Sequence, residues 1–196
     1  MSGSRPRARV LAALATLALA VPAFAQDYTV TNTSGRYVSA PSSGVTTVTS
    51  LNGQDDASTA ISMPFDFSYF GRSYSTVRVC TNGFAQFGAS SSSTFSNTTL
   101  PQSGTNDGIV AVHWDDLHVN QGAIRHWSSG TAPNRVFYLL WDGVAHFSNR
   151  NATLTFQVQF HETTGKIVTA HLSSSGFYAN GYTVGLDEPL GSNRYV

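Results

Sequence analysis

The sequence predicts an all-β protein: an antiparallel β-sandwich or jelly-roll-like fold of about ten short strands, with little or no helix beyond the N-terminal leader. Residues 61–88, ISMPFDFSYFGRSYSTVRVCTNGFAQFG, alternate aromatic or β-branched side chains with polar ones around two turn signals. No window of the mature chain shows a convincing helical period of apolar residues. Ser, Thr, Asn and Gly are abundant while charged residues make up 11%, which is typical of secreted β-proteins.

The N-terminus has the organisation of a secretory signal peptide. Three arginines at positions 5, 7 and 9 precede an apolar stretch over residues 10–21, and a Pro-Ala-Phe-Ala segment, 22–25, follows it. We expect cleavage after Ala25, because the Ala-Phe-Ala end has the small residues of a cleavage site. The apolar stretch is too short to span a bilayer. No later segment is apolar enough to be transmembrane, so the protein is expected to be secreted or periplasmic. The arginine-led, alanine-rich leader is typical of bacteria.

The charge balance argues against nucleic acid as a partner. Three of the eleven basic residues lie in the predicted leader, which leaves eight against eleven acidic residues in the mature chain. No basic stripe remains that could hold a phosphate backbone. The single cysteine, Cys80, excludes an intrachain disulfide, and its place opposite Val77 and Val79 in a strand predicts that it is buried.

The elements follow in order along the chain. We expect residues 26–57 to form peripheral strands at 28–32, 36–40 and 45–51, as one globular unit with the main domain over 58–196. A long strand over 58–70 contains Pro64, which indicates a bulge or an edge position. After a turn at Gly71 and Arg72, the strand over 74–80 leads to Asn82-Gly83, predicted to be a type I′ turn before a strand over 84–87.

A Ser/Thr/Asn-rich loop over 89–108 follows, and its length indicates either mobility or function. The remaining strands are predicted at 109–114, 123–128, 135–141, 144–147, 154–160, 166–172 and 182–186, with HETTG (161–165) as a hairpin turn. The strand positions of Trp114 and Trp141 predict that both are core residues.

Six motifs, in order, resemble the nidogen-like extracellular domain. They are MPFDFSYFG (63–71), TNGF (81–84), VHWDD (112–116), LWDGV (140–144), TFQVQF (155–160) and TVGL (183–186). The resemblance implies an extracellular β-sandwich used in adhesion or matrix association, with no catalytic residues to carry over. Val112-His113 replaces the family's usual proline and aromatic residue, and Cys80 replaces a more common serine.

Asp115 and Asp116 are the sharpest polar feature. Adjacent carboxylates at a strand end can both face a cation, and Asn106, Asp107 and Asn120 could add oxygen ligands for calcium. The alternative is that the two carboxylates accept hydrogen bonds from loop amides. Apart from this possible calcium site, the sequence predicts no cofactor.

Aromatic side chains near predicted turns are candidates for ligand binding, because flat rings with polar edges stack on sugars. These candidates are Trp127, Phe177, Tyr178 and Tyr182, and the loop 176–181, GFYANG, is the expected contact surface together with the loop 89–108. The six histidines are scattered, the G-x-S-x-G and zinc signatures are absent, and few carboxylates lie outside turns.

The sequence therefore predicts a non-catalytic adhesion or surface-association module whose partner is an extracellular protein or a glycan. A carbohydrate-binding module, with or without calcium, is the alternative, and a hydrolase is a third possibility.

Overall fold

Two antiparallel sheets pack face to face in the computed structural model, which describes residues 27–175, 181–189 and 195–196. The predicted leader, 1–25, lies outside the described residues. The strands are β1 Thr46–Thr47, β2 Ser58–Tyr69, β3 Arg72–Cys80, β4 Phe84–Gln86, β5 Ile109–Trp114, β6 Leu117–His118, β7 Ala123–Ser129, β8 Val136–His146, β9 Asn149–His161, β10 Ile167–Ser175 and β11 Thr183–Leu186.

One sheet has the order β1-β7-β8-β9-β10, with β6 beside β8, and the other has the order β11-β5-β4-β3-β2. This arrangement confirms the all-β sandwich. The two helical turns in the described part of the chain, Thr49–Leu51 and Gly104–Asn106, have three residues each, so neither can cross a membrane.

Strand β2 follows the predicted alternation. Its inward side chains are buried between the sheets and those between them are exposed. The inward set is Ile61, Met63, Phe65, Phe67 and Tyr69. Pro64 lies within a register shift between Ser62 and Phe67, and β2 is the edge strand of its sheet, so both interpretations of this proline are confirmed.

The type I′ turn lies one hairpin earlier than predicted. Tyr69 pairs with Arg72 across Phe70 and Gly71, which both have positive φ, 47° and 75°. The Asn82-Gly83 turn instead has three residues, 81–83, with positive φ at Gly83 alone, so the I′ prediction there was wrong. The reason is that Thr81 belongs to the turn, where its hydroxyl bonds to the backbone carbonyl of Ala57.

The N-terminal segment 27–45 forms no strand, contrary to the predictions for 28–32 and 36–40. It crosses the outer face of the six-stranded sheet, where the Gln157 amide donates to the Val38 carbonyl at 2.8 Å and accepts from the Val38 amide at 3.0 Å. Of the predicted strand 45–51, only β1 is extended and paired, and a 3₁₀ turn follows it. The segment is bound to its sheet through side chains and not through a ladder.

The loop 89–108 covers the outer face of the five-stranded sheet. Leu100 packs on a buried cluster that contains Cys80 and Trp114, and the Trp114 indole donates to the Thr94 carbonyl at 3.1 Å. Cys80 is fully buried on this face, opposite Val77 and Val79, as predicted. Trp114 and Trp141 are both fully buried, which confirms them as core residues.

Candidate functional site

Asp115 and Asp116 lie between β5 and β6, at one end of the sandwich. Asp115 is buried: its Oδ1 accepts the Asp116 amide at 2.9 Å, and its Oδ2 lies 3.6 Å from His146 Nε2. Burial raises the pKa of both aspartates above the ordinary value. Asp115 thus accepts a hydrogen bond from a loop amide, which was the predicted alternative to metal binding.

Asn82 ties this end of the sandwich together. Its side-chain amide donates to Asp56 Oδ1 at 2.8 Å, and its carbonyl oxygen accepts the Leu117 amide at 2.8 Å. Asp55 and Asp56 consequently lie near Asp116. Burial is the largest cause of the raised pKa of Asp116, and the negative charges of Asp55 and Asp56 raise it further. The sequence analysis did not predict that Asp55 and Asp56 lie near Asp116, although an Asp-Asp pair just before a long strand was a visible signal.

The expected calcium ligands do not gather around Asp115. Asn106 and Asp107 precede β5 while Asp115 follows it, so the full strand separates them, and Asn106 Oδ1 accepts the Ser92 hydroxyl at 2.7 Å. Asn120 is exposed. In the described part of the chain, no three His, Cys, Asp or Glu side chains are placed to hold a metal ion.

A histidine pair joins the two sheets at the edge formed by β10 and β11. His113 Nδ1 lies 3.1 Å from His171 Nε2, and the Tyr182 ring stacks on the His113 imidazole with centroids 3.9 Å apart. Burial lowers the pKa of His113 to about 3 and also lowers the pKa of His171. Both rings are therefore neutral at physiological pH, and the N–H of one ring donates a hydrogen bond to the bare nitrogen of the other.

Exposed apolar side chains continue from this pair along both edge strands. Leu172, Tyr182 and Val184 are between 47% and 56% exposed, and we call them the edge patch. Tyr182 and Val184 are two residues apart and share a face. Leu172 lies on the neighbouring edge strand β10, next in sequence to His171, whose ring is 6.0 Å from that of Tyr182. Of these three residues, Val184 also lines a groove of about 630 Å³ between β10, β11 and residues 27–33.

Of the four predicted aromatic contact residues, the structure exposes Tyr182. Trp127 is buried on the outer face of the six-stranded sheet, where it stacks on Tyr138 with centroids 4.7 Å apart and Tyr37 and Val45 pack against the cluster. Trp127, one of the candidates for ligand binding, is not accessible because the N-terminal segment covers it. Phe177 and Tyr178 lie outside the described residues.

A third group of polar side chains, at the opposite end of β5, was not identified from the sequence. Asp187 is fully buried just after β11, and Asp107 and Glu188 are at most 8% exposed. The Tyr69 hydroxyl donates to the Asp187 carbonyl at 2.8 Å, and Asp187 Oδ2 accepts the Gln102 amide at 3.1 Å. The only sequence signal was an Asp-Glu-Pro directly after the last predicted strand.

Comparison with known proteins bears on the family. Neither a curated protein nor a solved structure matches the chain. The profile of a family described as NIDO related matches residues 27–196, which includes every strand of both sheets. The chain therefore belongs to the NIDO-related family, a nidogen-like family.

Proposed function

We propose that this protein is a secreted, non-catalytic adhesion or surface-association module that binds an extracellular partner through the edge patch. Membership of a nidogen-like family supports an extracellular, adhesion-type role. The observation that carries the proposal is the edge patch itself. Its three half-exposed apolar side chains lie on or directly before edge strands of the two sheets, and clustered exposed apolar side chains are typical of interaction sites.

The geometry of the polar groups supports binding more than catalysis. The Asp115 and His146 pair has the composition of an acid and base couple, but both side chains are buried, and neither lines the 630 Å³ groove. A catalytic group has to reach its substrate, directly or through one water. The groove is lined mainly by apolar and hydroxyl-bearing side chains together with Asp27, Arg36 and Lys166, which suits recognition.

A glycan is the second candidate partner, and Tyr182 favours it. The tyrosine ring lies flat on His113, at 18° between the ring planes, yet half of the residue remains exposed. A ring fixed in this way loses little conformational entropy when a sugar stacks on its free face. Calcium assistance through Asp115 and Asp116 belongs to this second candidate.

The test is binding of the purified protein, expressed from its full-length gene, to a matrix-protein and glycan array with and without calcium. Tyr182→Ser and Leu172→Ser should each lower binding at least tenfold, while Val38→Ser, which removes a partly exposed valine on another surface, should bind as the wild type does. Equal binding by all variants would contradict the assignment to the edge patch.

The same array separates the two partners. Saturable binding to matrix or surface proteins supports the adhesion role, whereas saturable binding to glycans that needs Tyr182 supports the carbohydrate-binding alternative. Loss of glycan binding on calcium removal, reproduced by Asp116→Asn, would assign calcium to Asp115 and Asp116. An intact mass equal to that of a chain beginning at Gln26 would confirm the predicted leader.

A further inference from the structure

Three carboxylates lie buried where the loop 89–108 meets the end of β11. Asp107 closes the loop just before β5, and Asp187 and Glu188 directly follow β11. Their exposed fractions are 8%, 0% and 6%. The negative charges of Asp107 and Glu188 act on Asp187, so ionisation of this fully buried carboxyl group is unfavourable.

Asp187 is held from several sides. Its backbone amide donates to the Ile109 carbonyl at 2.9 Å, and its carbonyl accepts the Tyr69 hydroxyl at 2.8 Å. Its Oδ2 accepts the backbone amide of Gln102, in the loop, at 3.1 Å. Its Oδ1 is buried and accepts no hydrogen bond in the described part of the chain, so an ionised Asp187 would rest on the backbone amides of Gln102 and Gly108 alone.

We propose that the Asp187 carboxyl group is a pH-sensitive latch: when protonated it holds the Gln102 part of the loop 89–108 against the end of β11, and its ionisation loosens that part. The main chain of Asp187 is fixed by Tyr69 and β5, so the flexible partner in this contact is the loop. Opening of the loop lets water reach the carboxylate.

The surrounding groups favour the protonated form. Asp107 and Glu188 are negative when ionised, the nearby hydroxyls of Tyr69 and Tyr74 are neutral, and no lysine or arginine of the described residues is among the groups that act on Asp187. Burial, followed by repulsion from Asp107 and Glu188, raises the pKa of Asp187 to about 7, against the counteracting hydrogen bonds of Gln102 and Gly108.

The sign of the pH effect follows from linkage. Because the closed form has a raised pKa, the stability of the latch is fully present below the ordinary aspartate value of about 4 and is lost as the pH rises through about 7. The equilibrium constant for opening should rise roughly tenfold per pH unit between about pH 5 and pH 7, and then level off. This behaviour is a property of the chain whichever partner it binds.

The experiment is a carboxyl carbon NMR titration of Asp187 in the full mature protein, with hydrogen exchange at the Gln102 amide followed over the same pH range. We expect a titration midpoint near 7, and a Gln102 protection factor, after correction for intrinsic exchange, that falls as the pH rises towards 7 and stays constant above it. A midpoint near 4, or Gln102 protection that does not change with pH, would overturn the proposal.

Two variants complete the test. Asp187→Asn is neutral at every pH and should remove the pH dependence of Gln102 protection, while Asp66→Asn, at an exposed position of β2, should keep the wild-type profile. A wild-type profile in Asp187→Asn would assign the pH dependence to another group and overturn the latch. If Asp187→Asn does not fold, the wild-type titration decides alone.

Discussion

Gly83 offers a direct test of how the Asn82-Gly83 turn is packed. A Cβ atom at this position would lie 1.9 Å from the His113 carbonyl oxygen and 2.7 Å from its carbonyl carbon, and φ is +77°. Both obstacles are backbone atoms, which cannot rotate away as a flexible side chain can. The Gly83 carbonyl also accepts the amides of Val112 at 3.1 Å and His113 at 2.9 Å, so a displaced turn loses pairing with β5.

Gly44 is a matched control, because its φ is +75° and no atom would lie within 4 Å of an added Cβ. Gly44→Ala should therefore cost only the left-handed backbone penalty, about 1 kcal/mol. Gly83→Ala adds the clash and the weakening of two buried hydrogen bonds, each worth about 1 kcal/mol, so we expect a total of about 3 to 4 kcal/mol.

The assay is urea unfolding followed by tryptophan fluorescence, with the free energy of unfolding compared at equal m values. A difference between the two variants of less than about 1 kcal/mol would refute the reasoning, since backbone conformation alone would then explain both.

Three further changes test other parts of the fold. Cys80 is fully buried, which raises its pKa to about 12, so a thiol reagent should leave the native protein unmodified at mildly alkaline pH and label it after denaturation; rapid native labelling would contradict its burial. Trp141→Phe should lower the free energy of unfolding by about 2 to 3 kcal/mol in the same urea assay, because it leaves the buried Cys80 carbonyl without its 2.9 Å donor; an unchanged value would mean that water replaces the indole. Gln157→Met removes both hydrogen bonds to Val38 and should speed proteolysis within residues 27–45, whereas Gln54→Met, at an exposed position, should not; equal cleavage rates would show that other contacts hold the segment.

The sequence analysis was most accurate for strands whose local pattern of apolar residues matches their burial in the folded protein. The alternation in β2 matches a strand with one buried face, and β5 was predicted at its exact bounds, 109–114, because it is a short apolar run between turn residues. Residues 28–32 alternate in the same way, yet they lie where no strand pairs with them. Strand propensity indicates that a segment can adopt an extended conformation, but whether another strand lies beside it to pair depends on the tertiary structure.

The candidate site shows the same limit. The strand-end position of Asp115 was readable from the sequence, but its neighbours were not, because Asp55 and Asp56 arrive from about 60 residues upstream through the Asn82 side chain. Trp127 has the sequence context of an exposed aromatic residue, and it is buried only because residues 37–45 cross its face. Long-range covering segments of this kind leave no periodic signal.

The edge strands of the two sheets differ in how well they are protected from pairing with another molecule. β1 has two residues, β2 is interrupted at Pro64, and β11 exchanges backbone hydrogen bonds with Val196 through Leu186. β10 has nine residues, none of them charged and none a proline. Short strands, prolines and charges are what keep sheet edges from joining. Aggregation of the folded protein at high concentration should therefore begin at β10, and a charged substitution at an exposed β10 serine is the natural first step in preparing concentrated samples.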